Sequence, residues 1–535
     1  MFGRLSRNSP SGRLPTPVLA TPGLNSFQNP RLELAEKAVR KWLNDLPILN
    51  PAVSVPALLE RLREINHEPI SFKVRFRLME LYREPVNRLF LAFDESGLHR
   101  LPVSREERAR IKASVGELCG ESCMGFKILL KQGLSDGMNP ARDEDFRRSL
   151  LLTTEQLAHN LLHAYRSYGP LPAFALMELN QVYQLAEAAG VLDPVAGRLG
   201  KRAEPGIGHT YLNIILLAAL DPFHMERCQC MQLYQAIGPI APRARIYPWE
   251  PGHQLEDGEY LIDLNADIAP RTPRAGLNMD EDADARVLDT RALRVTSEEL
   301  LEKEVSENTS IPRAQLRVLA DALNAGRNRR SPRHASTEEV HLAASLPACM
   351  YFLRNQQRLR DKIVGGDLGI EVHSLSTQSE IPYGVERWRV ENESIRGLLL
   401  ARRRRDHEGL RVGDTVIVAS VGSNRNRAPV MLGVIRWLRS DKGGDIQVGV
   451  ETLPGLPRAV SWRTTADPSE QLGILLPPVV PLKLPYRLIT APDAVSSGQA
   501  LEMVLGSETL TATGGEIDLH TGEFQQCSLA SLKKA

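Results

Sequence analysis

The fold is decided by a stretch that opens with Asn324-Ala325-Gly326-Arg327-Asn328-Arg329-Arg330-Ser331-Pro332-Arg333-His334 and closes with Asn392-Glu393-Ser394-Ile395-Arg396-Gly397. The first part reads as R-x-x-x-R on a turn, the last as N-x-S-x-x-G on a strand. Pro332 disfavours helix at Ser331, so the turn should lead into an extended strand with its arginines free. Guanidinium groups grip phosphate oxygens in pairs and lie flat against purine rings. An Asn amide both donates and accepts, and a Ser hydroxyl can do either. Gly397 permits close backbone approach or a positive φ. Arg329, Arg333, Asn392, Ser394 and Gly397, with Arg330 as an extra contact, suit an anionic nucleotide.

Working outward, the hydrophobic period changes at the turn. Downstream, Val340, Leu342, Ala344 and Leu346 alternate with His341, Ala343 and Ser345. Further strands are expected over 415–419, 432–438 and 446–450, separated by short Gly/Asp turns, as in a small antiparallel barrel. Arg333 and Asn392 lie 59 positions apart. The excess, 347–382, reads as an insertion, tolerable because loop entropy grows slowly with length. Pro477-Pro478-Val479-Val480-Pro481 is a stiff connector. Beyond it, 486–489, 500–505 and 516–519 read as short strands.

Upstream the period is helical. Leu34, Ala38, Val39 and Trp42 share one face, as do Leu157, Leu161, Leu162 and Tyr165. Capping boxes are read at Ser104-Arg105-Glu106-Glu107, Thr153-Thr154-Glu155-Gln156 and Thr296-Ser297-Glu298-Glu299. A Gly-Pro break at 168–172 implies an αα-hairpin. A strand is expected at 260–264, an acidic linker over 266–289, and a helix over 313–324 that ends at Ala325-Gly326.

The expected organisation is a solvated tail (1–30), a helical domain (31–245), a partly acidic linker with short strands (246–295), a helical connector (296–328), a barrel (329–455) interrupted by 347–382, and a β-rich extension (456–535). The fold class is therefore α+β multidomain. A mostly helical N-terminal bundle or irregular solenoid precedes an antiparallel six-stranded β-barrel.

Across 535 residues, 66 basic side chains face 65 acidic ones, leaving a net charge of +1. No global field favours nucleic acid, and an anion site must come from local clustering. The longest apolar run, 214–220, is far below the roughly 18–20 residues of a membrane span. Six cysteines, sparse for this length, read as free thiols in a reducing cytoplasm. His159-x-x-x-His163, Cys119-x-x-x-Cys123 and Cys228-x-Cys230 with His209 and His224 are too loose for a zinc site. No metal or other cofactor is expected. Walker A, G-x-S-x-G and G-x-G-x-x-G motifs are missing, so no enzyme class is indicated. A metal-dependent hydrolase in the helical domain is the enzyme reading to be tested. The arginine run 402–405 lacks the interleaved aromatics of a nucleic-acid patch.

The two motifs, together with "GDTVIV", "LGVIRWLR" and "DIQVGVETL" in this order, resemble the PilZ domain family of bacterial cyclic di-GMP receptors. The resemblance covers 329–455 and implies a six-stranded barrel. It implies that Arg329 and Arg333 clamp the ligand, Asn392 and Ser394 orient it, and Gly397 keeps the backbone close. The function so implied is a cytoplasmic second-messenger receptor whose helical region docks a protein partner or transmits the output. The alternative is an interaction protein whose barrel no longer binds nucleotide. Gly365-Gly366-Asp367 begins like a diguanylate cyclase signature, but the residues that should follow are missing. Gly443-Gly444-Asp445 reads as a hairpin turn.

Overall fold

The computed structural model describes residues 14–92, 104–193, 205–226, 228–272, 284–302, 311–324, 332–364, 384–403, 409–420, 430–441, 443, 445–464, 467–506 and 508–534. The chain divides into two compact units, a helical one up to residue 327 and a barrel one from 328, the latter also taking in Phe223–Glu226.

The helical unit contains α1 (Glu36–Asp45), α2 (Pro51–His67), α3 (Phe72–Ala92), α4 (Arg105–Ser135), α5 (Glu144–Arg166), α6 (Ala175–Ala188), α7 (Ile207–Ala219) and α8 (Gln229–Ile240). Strands β1 (Arg245–Pro248), β2 (Glu259–Asp263) and β3 (Ala285–Asp289) form a sheet of order β1-β3-β2, and α9 (Arg291–Glu302) and α10 (Arg313–Asn324) follow. The unit is a bundle around α5, whose Leu150, Leu157, Leu161, Leu162 and Tyr165 are buried and which packs against α4, α6, α7 and α8.

Ser104 caps α4 as expected, its hydroxyl accepting from the Glu107 amide at 3.1 Å. The other two capping boxes do not start helices. Thr153 and Thr154 lie inside α5, and their hydroxyls donate to the carbonyls of Ser149 (2.7 Å) and Leu150 (2.9 Å). Thr296 and Ser297 lie inside α9, bonded to the carbonyls of Ala292 and Arg294 at 2.9 and 2.7 Å. Hydroxyls that bond back to the preceding turn satisfy themselves within a helix, so the sequence pattern alone does not fix its start. The N-terminus of α6 is served from a distance, with Asp267 accepting from the amides of Phe174 (2.8 Å) and Leu176 (3.1 Å).

Residues 14–30 are no free tail. Leu19 is buried, and the Ala20 amide donates at 2.7 Å to Glu178, which also holds Lys127 at 2.9 Å in a buried pair. The paired histidines of α5 are packing groups. His159 stacks on Phe90 at 4.8 Å, and His163 lies 3.3 Å from the Arg166 guanidinium. Burial, then Arg166 and Lys112, pushes the His163 imidazole down to about 3. Cys119 and Cys123 are buried thiols pushed up to about 12.

The barrel unit begins with β4 (His334–Ala335) and β5 (Glu339–Ala344). Next come α11 (Leu346–Val364), β6 (Glu386–Ser394), β7 (Gly397–Arg403), β8 (Thr415–Ser420), β9 (Met431–Ser440) and β10 (Asp445–Leu453). Strands β5 to β10 close a ring in the order β5-β6-β7-β10-β9-β8, with β4 added on β6. All pairs are antiparallel. Trp388, 1 % exposed, fills the interior with Val390, Leu400 and Val448. The alternation expected through Leu346 stops at Ala344. Ser345 adopts φ +95° and its carbonyl accepts from the Cys349 amide at 3.0 Å, which turns the chain into α11. The first part of the expected insertion is therefore a helix, while 365–382 lies outside the described residues.

The C-terminal region is a second closed barrel rather than an appendage. It comprises β11 (Arg458–Thr464), β12 (Gln471–Leu476), β13 (Arg487–Thr490), β14 (Ala500–Leu505), β15 (Glu508–His520) and β16 (Gln525–Lys534), in ring order β11-β12-β13-β16-β15-β14. Helix α11 lies in an apolar layer shared by both barrels. Leu346, Cys349 and Leu353 meet Leu432 and Val434 of the first barrel and Ile474 and Ile489 of the second. Arg354 donates to the Ser461 hydroxyl of β11 at 3.0 Å. Of the GGD triplet, Gly443 lies in the β9–β10 turn and Asp445 opens β10, and Asp441 accepts from the amides of both at 2.8 and 2.9 Å.

Candidate functional site

Residues 325–331, with Arg329 and Arg330, lie outside the described residues; Arg333 is described and exposed. The strand that follows it brings the two motifs together. His334 pairs with Glu393 and Ala335 with Asn392. Arg333 immediately precedes this strand, so the second arginine of R-x-x-x-R is carried to the edge of the strand that bears N-x-S-x-x-G.

Asn392 and Ser394 face outward because of a bulge. Along β6, Trp388 and Val390 point into the barrel. Strict alternation would send Asn392 and Ser394 inward too. Instead the register against β7 shifts between Val390 and Asn392: Val390 pairs with the buried Leu400, but Asn392 pairs with Leu399 and Ser394 with Gly397. One extra residue, Glu391, reverses the phase and places Asn392 and Ser394 on the outer face, the usual effect of a β-bulge at a barrel rim.

Around them the outer face continues across the sheet. Leu399 pairs with Gly449 of β10, and Gly449 with Trp437 of β9. The indole lies flat over Gly449, where an added Cβ would come within 1.9 Å of its Nε1. Arg439 sits 5.4 Å from the Trp437 ring centre and donates to Gln447 at 2.8 Å. The result is a shelf, bordered at one side by Asn392 and Ser394 and at the other by an indole and a guanidinium.

The role of Gly397 is close approach rather than a positive φ, since it is not among the left-handed residues. An added Cβ would lie 3.3 Å from the Val450 carbonyl and 3.4 Å from the Ser394 hydroxyl. Most cations nearby are committed. Arg387 pairs with Glu339, Arg389 with Glu391, and Arg436 with Glu451. Among the described residues, the side chains of Arg333, Asn392 and Arg396 have no partner. The arginine run divides. Arg402, in phase with the buried Leu398 and Leu400, pairs with Glu386, while Arg403 is exposed. Residues 404 and 405 lie outside the described residues.

Arg396, Trp437 and Gly449 join the residues expected from sequence. Arg396 sits inside N-x-S-x-x-G, one position before Gly397, where its charge is legible in the sequence. The Trp437–Gly449 pair has no local signal, because only the register between β9 and β10 brings it to Asn392. Chemically the face offers free cationic and amide donors, a hydroxyl and a flat aromatic surface, which are the groups of anion and base recognition.

A family model described as "Cyclic-di-GMP receptor FimW, N-terminal domain" matches residues 37–251, within the helical unit. The chain is 22% identical over 557 residues to the cyclic-di-GMP receptor FimW of Pseudomonas aeruginosa, an alignment covering 92% of this chain and 89% of that protein. The chain is thus similar to a cyclic-di-GMP receptor over nearly its whole length. Among the described residues no helix is long and apolar enough to cross a membrane.

Proposed function

We propose that this protein is a cyclic di-GMP receptor and that the nucleotide binds on the outer β6–β7 face of the first barrel, a PilZ-like domain. Arg329 and Arg333 clamp the phosphates or the guanine edges, with Arg330 and Arg396 adding charge. Asn392 and Ser394 orient the bases, Gly397 keeps the hairpin close, and Trp437 provides a stacking surface. The helical unit serves as the output or docking module for a protein partner. The observation that supports this reading is the β4–β6 register, which sets His334 opposite Glu393 and Ala335 opposite Asn392 and so brings the strand after Arg333 alongside the N-x-S-x-x-G strand.

The test is calorimetric titration of the full chain with cyclic di-GMP. Charge-assisted hydrogen bonds contribute about 1.5–3 kcal/mol each, so Arg329→Ala with Arg333→Ala should weaken binding at least ~100-fold. The unfolding midpoint should stay unchanged. Absence of any heat with the unaltered protein would remove the proposal and favour an interaction protein. Equal heats before and after the double substitution would remove the site assignment.

A further inference from the structure

The two barrels share one topology. Numbering the strands of each ring from one to six in chain order, both close as 1-2-3-6-5-4. Both have a buried tryptophan in the interior, Trp388 and Trp462. The face proposed to bind nucleotide is the outer surface of strands two and three, β6 and β7. Its counterpart in the second barrel is the outer surface of β12 and β13.

That counterpart is built differently. Leu475 and Leu488 pair and point into the second barrel's own core, with Trp462. Ile474 and Ile489 pair and point outward, into the layer formed with α11 and the first barrel. Where the first barrel has Asn392, Ser394, Gly397 and Leu399, half-buried, the second has Ile474, Leu476 and Ile489, each at 0 % exposure. The approach to β11, Leu453-Pro454-Gly455-Leu456-Pro457, has no arginine, and the second-to-third connection, 477–486, has no N-x-S-x-x-G. The first barrel contributes the outer side of strands four and five to the layer, through Ile417, Leu432 and Val434. The contact is therefore head-to-tail: unlike faces meet, and the β6–β7 face stays outside it.

We infer that the second barrel is a copy of the same fold whose nucleotide face has become a protein-docking face, occupied in cis by α11 and the first barrel. The chain accordingly carries one nucleotide-binding face, not two. This rests on the proposed reading of the first barrel for its ligand, but not for its docking.

Two measurements on the full chain separate these parts. Hydrogen exchange with saturating cyclic di-GMP should show protection gained in 386–403 and none in 458–534. Comparable protection gained in 458–534 would overturn the single-face inference. Thermal unfolding judges the docking face without ligand. Ile489→Ala should lower the midpoint of the barrel unit by about 5–15 °C, whereas Leu399→Ala, at a nearby position on the open face, should move it by less than about 3 °C. Equal shifts would overturn the docking assignment. No heat and no protection with the unaltered protein, alongside unequal thermal shifts, would remove the nucleotide reading and leave the docking face standing.

Discussion

The first barrel leaves the outer side of its second and third strands open, and the second barrel covers the same side. The folds are alike in ring order, so the difference lies in the residues that occupy one surface. Open, that surface holds Asn392, Ser394, Gly397 and Leu399, and polar groups there cost little because water still reaches them. Covered, it holds Ile474, Leu476 and Ile489, and burial of three aliphatic side chains contributes about 1.5–3 kcal/mol each. On the proposed reading, a barrel of this type uses that side either for a small anion or for another protein surface, according to the composition of two strands.

Three substitutions probe that comparison. The largest effect is expected where the barrels meet at their ends. Asp414 is buried, accepts from the Arg411 amide at 2.8 Å, and has its carboxyl pushed up to about 7 by burial and then by Glu523. Arg411 itself donates to Glu523 of the second barrel at 2.6 Å. A carboxyl raised in the folded state favours the fold while protonated, so its contribution is full below the unfolded value near 4. It is lost as pH rises toward 7, a change of up to about 4 kcal/mol. Asp414→Asn should flatten this profile. The variant should unfold at a higher temperature than the parent at pH 8 and at the same temperature at pH 4; a parallel shift at both would contradict the assignment.

A middle effect is expected on the open side. Gly449→Val must displace Trp437, at a cost of about 1–3 kcal/mol by overpacking, and should weaken cyclic di-GMP binding as well. A stable variant with unchanged affinity would show that the indole is no part of the surface. The smallest effect is at the hairpin tip. Ile395 is 86 % exposed, so Ile395→Ser should change stability by no more than about 0.5 kcal/mol. A loss as large as that of Ile489→Ala would mean the tip is covered and the comparison fails.

Much of this was readable from the chain alone. The runs over 340–346, 415–419, 432–438 and 446–450 marked β5, β8, β9 and β10, though not β7, and the helix over 313–324 has the bounds expected of it. Most residues of the proposed site stand in the two motifs, of which Arg329 and Arg330 lie outside the described residues. What escaped was set by distant partners. Thr153 and Thr296 look like caps but bond within their own helices. Strands β11 and β12 lie outside the expected strands, and the closure of 458–534 depends on pairing Thr464 with Leu501, far apart in sequence. The shelf of Trp437 over Gly449 likewise exists only after two strands are aligned.

The bulge at Glu391 has one more consequence. Asn392 lies four positions after Trp388, an even count that in a regular strand would put both on the inner face, and the register shift between Val390 and Asn392 is what separates them. A relative with the same count and an unbroken register would keep every letter of N-x-S-x-x-G and turn its polar groups into the barrel. A relative lacking one residue between Trp388 and Asn392 would hold them outside by plain alternation, with no bulge. The letters are the same in both, so the motif is to be read together with the count back to the last inward tryptophan and the register beside it.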